Sequence, residues 1–337
     1  MVIELAKEQI RLGHDVTICA MYGEGPLDER ARSFGIKVVH LHSSANSLTK
    51  IKSLHAYLKT ERYDIIHSHW GVWLATAIAG FLRKIPRVHT HHANQPRRLF
   101  PEHRLATLFT TKVVVLTPEL DEYIRFWVAV PASKIVVIPN GIDLSRIESA
   151  TRVEIDGIPK EALVVGMVAR LSPPKDYSTF IRASKMVNDT LPHVHFIAVG
   201  DGQMRQQFEK EAAALEVQNF HFLGARLDVP SLLRRMDLKV LATKMEGLPI
   251  SLLEAMASGC ACIASDIPAN RYTLEGGKSG LLVQGQNPAA LASAIQRMLT
   301  DEDLSKALRQ NAAKRYQYFS SERMTRDYLE LYSTLVK

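Results

Sequence analysis

The sequence predicts an α/β protein built from two doubly wound, Rossmann-like parallel-sheet domains. Three observations predict it. Short β-branched runs alternate with helical periodicities; the alternation breaks at Pro139-Asn140-Gly141-Ile142-Asp143 and a polar run to Lys160; then a second alternating series begins. Parallel strands need long crossovers, and helical crossovers cover both faces of the sheet. With 337 residues, 46% of them apolar and 23% charged, the chain can bury two such cores. The domains are expected at 1–143 and 161–317, with 144–160 as linker and 318–337 as a closing helical segment.

In order, residues 2–12 read as a helix stopped by Gly13-His14, so the chain opens on a helix with no strand before it. Strands are expected at 15–21, 37–42, 64–67, 87–91, 113–116 and 135–138, with helices such as 48–60 and 70–82 between them. The second series has strands at 163–168, 195–199, 220–223, 238–242, 261–264 and 280–283, and closes on helices at 288–299, 304–316 and 321–335. Two such halves make a cleft, and ligands of parallel sheets bind beyond the carboxyl ends of the strands.

Composition narrows the function. No run reaches the roughly 18 uncharged apolar residues of a membrane helix, and the opening Met-Val-Ile-Glu-Leu-Ala-Lys-Glu is too charged for a signal peptide. Cys19, Cys260 and Cys262 are expected as reduced thiols of a cytoplasmic protein, the last two packed in a strand. The formal charge of +7 suits acidic partners. Residues 1–143 hold 18 Lys and Arg against 13 Asp and Glu, with Arg83, Lys84, Arg87, Arg97, Arg98 and Arg104 near Leu99 and Phe100. That patch reads as a solvated face or as a peripheral contact with an anionic membrane at its inner face. Nucleic acid is not expected, because no basic motif is interleaved with aromatics.

The stretch 246–259 carries the chemistry. It reads as strand, turn and helix, with Pro249 in the helix's first turn and Gly259 ending it. Unpaired N–H groups at a helix start, with the positive end of its dipole, make an anion site around Leu248, Pro249 and Ile250. Glu246 lies just before that site, and Glu254 sits among Ile250, Leu252, Leu253 and Met256, which are expected to be buried. A carboxylate there needs partners, and a ligand combining a diphosphate with sugar hydroxyls would supply them. Three other loops follow strands of the second half. Arg170 and Lys175 offer a guanidinium fork and a point charge to phosphate oxygens. Gly200 and Gly202, in Gly-Asp-Gly, permit close backbone approach, and Arg226, after Phe222-Leu223-Gly224, could border a nucleobase.

Together, Arg-Leu-x-x-x-Lys, Gly-Asp-Gly, Phe-x-Gly and Glu-Gly-Leu-Pro followed by Leu-Leu-Glu-Ala-Met-Ala-Ser-Gly resemble the signature of glycosyltransferase family 4, retaining enzymes with the GT-B fold. The resemblance implies transfer of a hexose from a nucleoside-diphosphate sugar, with UDP the expected nucleotide, to a glycan or lipid-linked acceptor of cell-surface polysaccharide synthesis. On that alignment Arg170 and Lys175 stabilise the diphosphate, Gly247–Ile250 hold its distal phosphate, Glu246 contacts the sugar and Glu254 the ribose. Val88-His89-Thr90-His91-His92 resembles the segment in which a His lies beside donor sugar and acceptor, and His92 is the matching position. No metal and no cofactor is implied, since the sugar nucleotide is a substrate.

The His67-Ser68-His69 and His89–His92 clusters lack a neighbouring carboxylate or Cys to complete a metal site. Asp301-Glu302-Asp303 is better read as acidic residues in a helix's first turn. The final helix resembles the family helix that crosses back onto the first domain. Two departures stand out. Tyr272 occupies a turn where many relatives carry Glu, and the strand and Gly-rich loop that open relatives are missing before residue 2. The start then is an internal methionine, or the chain is truncated; losing that strand would expose pairing edges. A noncatalytic sugar-nucleotide-binding remnant and a GT-B sugar-nucleotide epimerase or phosphorylase are the alternatives.

Overall fold

The computed structural model describes residues 1–25, 27–43, 46–92 and 101–336. The chain divides into two compact units, Met1–Gly141 with Ser320–Lys337, and Ile142–Phe319.

Strands β1 (Thr17–Ala20), β2 (Lys37–His40), β3 (Ile66–His69), β4 (Arg87–His91), β5 (Lys112–Val115) and β6 (Ile135–Val137) of the first unit all pair in parallel. One sheet was expected, but two are found: β1 with β2, and β3-β4-β5-β6. Cys19 of β1 and Ile66 of β3 pack on the same cluster of Met21, Leu54, Leu58, Ala75 and Ala79, yet no strand among the described residues joins their edges. A parallel sheet is normally interior. Here β5 is, its three valines being fully buried, whereas β1 and β2 stay half-exposed.

Helix Ser321–Ser333 closes this unit, capped by Ser320, whose hydroxyl accepts from the Arg323 N–H. Met324, Tyr328 and Leu331 recur on one face and pack with Leu5, Val88, Val114 and Ile138. The Tyr328 hydroxyl lies 2.8 Å from Thr90 Oγ1, so the buried phenol is hydrogen-bonded. Gly141 is needed where the helix returns, because a Cβ there would lie 2.4 Å from the Ser320 carbonyl oxygen.

In the second unit β7 (Leu163–Val168), β8 (Val194–Val199), β9 (Phe220–Gly224), β10 (Leu238–Leu241), β11 (Ala261–Ser265) and β12 (Leu281–Val283) form one parallel sheet, ordered β12-β11-β10-β7-β8-β9. The chain winds outward from β7 in one direction and from β10 in the other, so the switch point lies between β7 and β10. The expected linker, 144–160, belongs to this unit. Its scattered Ile147, Ile155 and Ile158 are buried, and the Arg234 and Arg235 guanidiniums donate to the carbonyls of Ile147, Pro159 and Ala162. Apolar anchors inside a polar run hold it down. Among the described residues no helix is long and apolar enough to cross a membrane.

Candidate functional site

Ligands of open parallel sheets bind where strand order reverses, and the loops leaving β7 and β10 carry Arg170, Lys175 and Glu246. The two loops are stitched together. Lys175 and Thr243 form an antiparallel bridge, the Asp176 N–H donates to Ala242 O (3.0 Å), and the Lys244 N–H donates to Pro174 O (3.1 Å). The Thr243 N–H donates to Ser265 Oγ (3.0 Å), tying the pair to β11. This ladder sets the Lys175 ammonium on Glu246 Oε1 as an ion pair. With side chains only 20% and 11% exposed, both groups are partly desolvated, and the charge-assisted bond holds the carboxylate in one orientation.

Asp176 starts helix Tyr177–Asn188 by accepting from the Thr179 N–H and hydroxyl. The Gly-Asp-Gly turn lies directly under the Arg170 loop: the Leu171 N–H donates to Asp201 O (3.0 Å) and the Met204 N–H to Leu171 O (3.0 Å). Gly200 has φ +140°, and a Cβ there would stand 2.1 Å from Ala169 O; at Gly202 it would stand 2.4 Å from Leu171 O. The close approach these glycines permit is therefore to the protein's own loop, which they press into place, and Arg170 rides exposed on that loop. Arg226 is exposed and held bidentate by Asp228 at 2.8 and 2.7 Å, an arrangement worth about 0–1 kcal/mol at a surface.

Helix Ile250–Ala257 begins at Pro249, which has no N–H, and among the described residues no side chain caps it. The Leu252 and Leu253 N–H groups reach Pro249 O, so the Ile250 and Ser251 N–H groups are the helix's outward donors. Gly247, Leu248 and Pro249 are buried, while Ile250, expected to be buried, is half-buried at the helix mouth. Glu254 is half-buried among buried Leu252, Leu253, Ala255 and Met256. Tyr272 lies against the Arg315 guanidinium, 5.3 Å from ring centroid, and edge-on to Phe319. Asp301 caps helix Glu302–Arg315 through the Leu304 N–H.

Lys239 carried no signal in the sequence beyond a charge inside a buried-strand run. It is fully buried in β10, donates to Val240 O (2.7 Å), and burial holds its ammonium down to about 8. Cys260 and Cys262 are free and buried, and burial pushes the Cys262 thiol up to about 12, so packing accounts for both.

His67, His69, His89 and His92 of the first unit are held by hydrogen bonds and stacks. Ser68 Oγ lies 2.9 Å from His89 Nδ1, and the Trp73 indole stacks on His89 at 4.2 Å and 3°. His67 meets Thr90 Oγ1 at 2.7 Å and the Tyr332 hydroxyl at 2.6 Å. His92 Nε2 is hydrogen-bonded to His69 Nδ1 at 2.9 Å. Burial, aided by neighbouring His91, pushes His92 down to about 4, so it is neutral near pH 7 and can hydrogen-bond without carrying charge. Among the described residues no group of three His, Cys, Asp or Glu could hold a metal ion.

Arg87 leaves the expected basic patch: its guanidinium donates to Phe109 O (2.6 Å) and Ile85 O (2.8 Å). The Arg87 stem packs where Gly80 lacks a Cβ, and its head caps the carbonyls of Ile85 and of Phe109 at a helix's end. Arg83, Lys84 and Arg104 are exposed beside exposed Phe81, Leu82, Leu105 and Leu108, and the Phe81 and Phe109 rings pack at 5.1 Å. Arg97, Arg98, Leu99 and Phe100 lie outside the described residues.

Residues 149–315 match the family described as glycosyl transferases group 1, and residues 1–146 match Glycosyltransferase Family 4. The UDP-Gal:α-D-GlcNAc-diphosphoundecaprenol α-1,3-galactosyltransferase of Escherichia coli is 29% identical over 300 residues, covering 83% of this chain and 78% of that enzyme. Among solved structures, a glycosyltransferase of Rickettsia africae superposes with a TM-score of 0.86 at 20% identity, covering 99% of this chain and 94% of that one. Anabaena Alr3699/HepE in complex with UDP and glucose gives 0.84 at 22%, covering 99% and 95%. These likenesses identify the GT-B fold.

Proposed function

Because the chain belongs to glycosyltransferase family 4, the group 1 glycosyltransferases, we propose that it moves a hexose from a nucleoside-diphosphate sugar, UDP first among them, to a hydroxyl of a lipid-linked or glycan acceptor in cell-surface polysaccharide synthesis, at the inner face of the cytoplasmic membrane. The observation that carries the reading is the Lys175–Glu246 pair, stitched at the switch point of the second sheet beside the uncapped start of helix Ile250–Ala257.

Arg170, Lys175 and the outward N–H groups of the helix stabilise the diphosphate as it leaves, supplying by fixed positive groups what a metal ion supplies elsewhere. Backbone groups at Gly247–Ile250 face the distal phosphate, Glu254 accepts from the ribose hydroxyls, and the Gly200, Gly202 and Arg226 turns border the nucleoside. Glu246 orients the hexose and stabilises positive charge at the anomeric carbon. Its ion pair with Lys175 favours that role over attack as a nucleophile. Retention then follows from front-face displacement: the acceptor oxygen bonds to the anomeric carbon as the bond to the donor phosphate breaks, and the acceptor proton passes to the leaving phosphate. His92, neutral and fixed by His69, orients the acceptor hydroxyl.

Incubated with UDP-galactose and a synthetic α-GlcNAc-diphospholipid in the presence of EDTA, the protein should form an α-linked disaccharide lipid and release UDP only when acceptor is present. Sugar-nucleotide turnover without acceptor would replace this reading with an epimerase, and inactivity across UDP, GDP and ADP sugars would replace it with a noncatalytic remnant. The exposed Phe81, Leu82, Leu105 and Leu108 beside Arg83, Lys84 and Arg104 support peripheral docking on anionic lipid. The protein should float with phosphatidylglycerol vesicles at low salt and lose most binding in Leu105→Glu/Leu108→Glu; equal recovery with neutral vesicles would count against it.

A further inference from the structure

Trp70 stands out within the first unit. It follows β3 with φ +55°, a left-handed conformation that a bulky L residue enters only at a cost, while the next residue, Gly71, could adopt it freely. The helix expected from residue 70 starts at Trp73 for this reason. Such a conformation survives only when the surroundings enforce it, and outliers of this kind cluster at ligand sites.

The turn sets the indole parallel to the His92 imidazole in an offset stack, ring centroids 5.8 Å apart and planes 7° from parallel. His92 cannot swing away, since His69 Nδ1 holds its Nε2. Lys50, itself buried, donates to the Gly71 carbonyl at 3.4 Å and steadies the turn. Offset against His92, Trp70 remains 61% exposed, and among the described residues a Cβ built on Gly71 would meet nothing within 4 Å. The result is an electron-rich aromatic face, set beside a hydrogen-bonded imidazole and exposed among the described residues. Such a face attracts the partial positive charge of a pyranose ring's axial C–H bonds, while the ring's equatorial hydroxyls stay free for polar groups.

We propose that Trp70 is the stacking platform for the acceptor's sugar ring. This rests on the transfer reading, and places an acceptor subsite on the first unit through a residue distinct from the donor-binding groups. With UDP-galactose and an α-GlcNAc-diphospholipid as probes, Trp70→Ala should raise the acceptor KM at least tenfold and leave the UDP Kd within twofold, while Trp70→Phe, keeping a flat ring, should recover most of the loss. The probe should also change tryptophan fluorescence in the unsubstituted protein, and Trp70→Phe should abolish that change. Transfer with an unaltered acceptor KM in Trp70→Ala, or an equal loss of UDP affinity, would overturn the platform. A Trp70-dependent fluorescence change without transfer would sink the transfer reading and keep the subsite; neither signal would sink both.

Discussion

Glu246→Gln is expected to lower the rate of sugar transfer by about two to three orders of magnitude, the cost typical of removing one preorganised transition-state contact, while leaving donor affinity within a few-fold. Gln keeps the size of the side chain and its ability to hydrogen-bond a hexose hydroxyl. It removes the charge. In the proposed front-face reaction positive charge grows on the anomeric carbon before the acceptor oxygen has fully bonded, and an oriented carboxylate lowers the energy of that state more than of bound donor. In the proposed site the Lys175 ammonium, released from its ion pair, would still face the diphosphate, which is why binding should persist. The check is kcat beside a donor Kd. Unchanged turnover would remove Glu246 from the mechanism, and a parallel fall in both would make it a ground-state contact.

Glu254→Ala is expected to act in the opposite sense, weakening UDP binding about 100-fold, as follows from losing hydrogen bonds to a charged group worth roughly 1.5–3 kcal/mol each. Glu254 is half-buried on a helix whose neighbouring Leu252, Leu253, Ala255 and Met256 are buried, so its carboxylate has few directions in which to find hydroxyl donors. UDP alone is a sufficient titrant, because the assigned contact is to ribose. Calorimetry reads it directly; a UDP Kd within twofold of the unsubstituted protein would move the ribose contact elsewhere. Opposite responses, Glu246→Gln in rate and Glu254→Ala in affinity, separate the two carboxylates by role.

Most strands of the three sheets could be placed from sequence to within a residue or two, since each is a short β-branched run between turn residues. β4 and β7 fall at the expected bounds; β3 is shifted to Ile66–His69 because the His-rich end of the strand lacks apolar contrast. The candidate donor residues were legible for a related reason. Arg170, Lys175, Gly200 and Glu246 sit in loops just after strands and Glu254 in the helix that follows one of them, and all five belong to short motifs whose residue types report backbone geometry and charge within a few positions.

The sequence by itself determined the α/β class, the two alternating series, the loops that bear charge and the helix that starts at Pro249 without a donor of its own. Tertiary structure alone decided which groups meet. Lys175 and Glu246 are 71 residues apart and become partners only because the 172–176 and 242–244 segments bridge. His69 and His92, 23 apart, meet because β3 and β4 pair. The linker that packs as part of the second unit, the separation of β1–β2 from β3–β6, the diversion of Arg87 to backbone carbonyls and the left-handed turn at Trp70 are of the same kind. Periodicity and turn chemistry are written within a few residues of chain, whereas register, ion-pair choice and a forced φ depend on side chains that arrive from far along it.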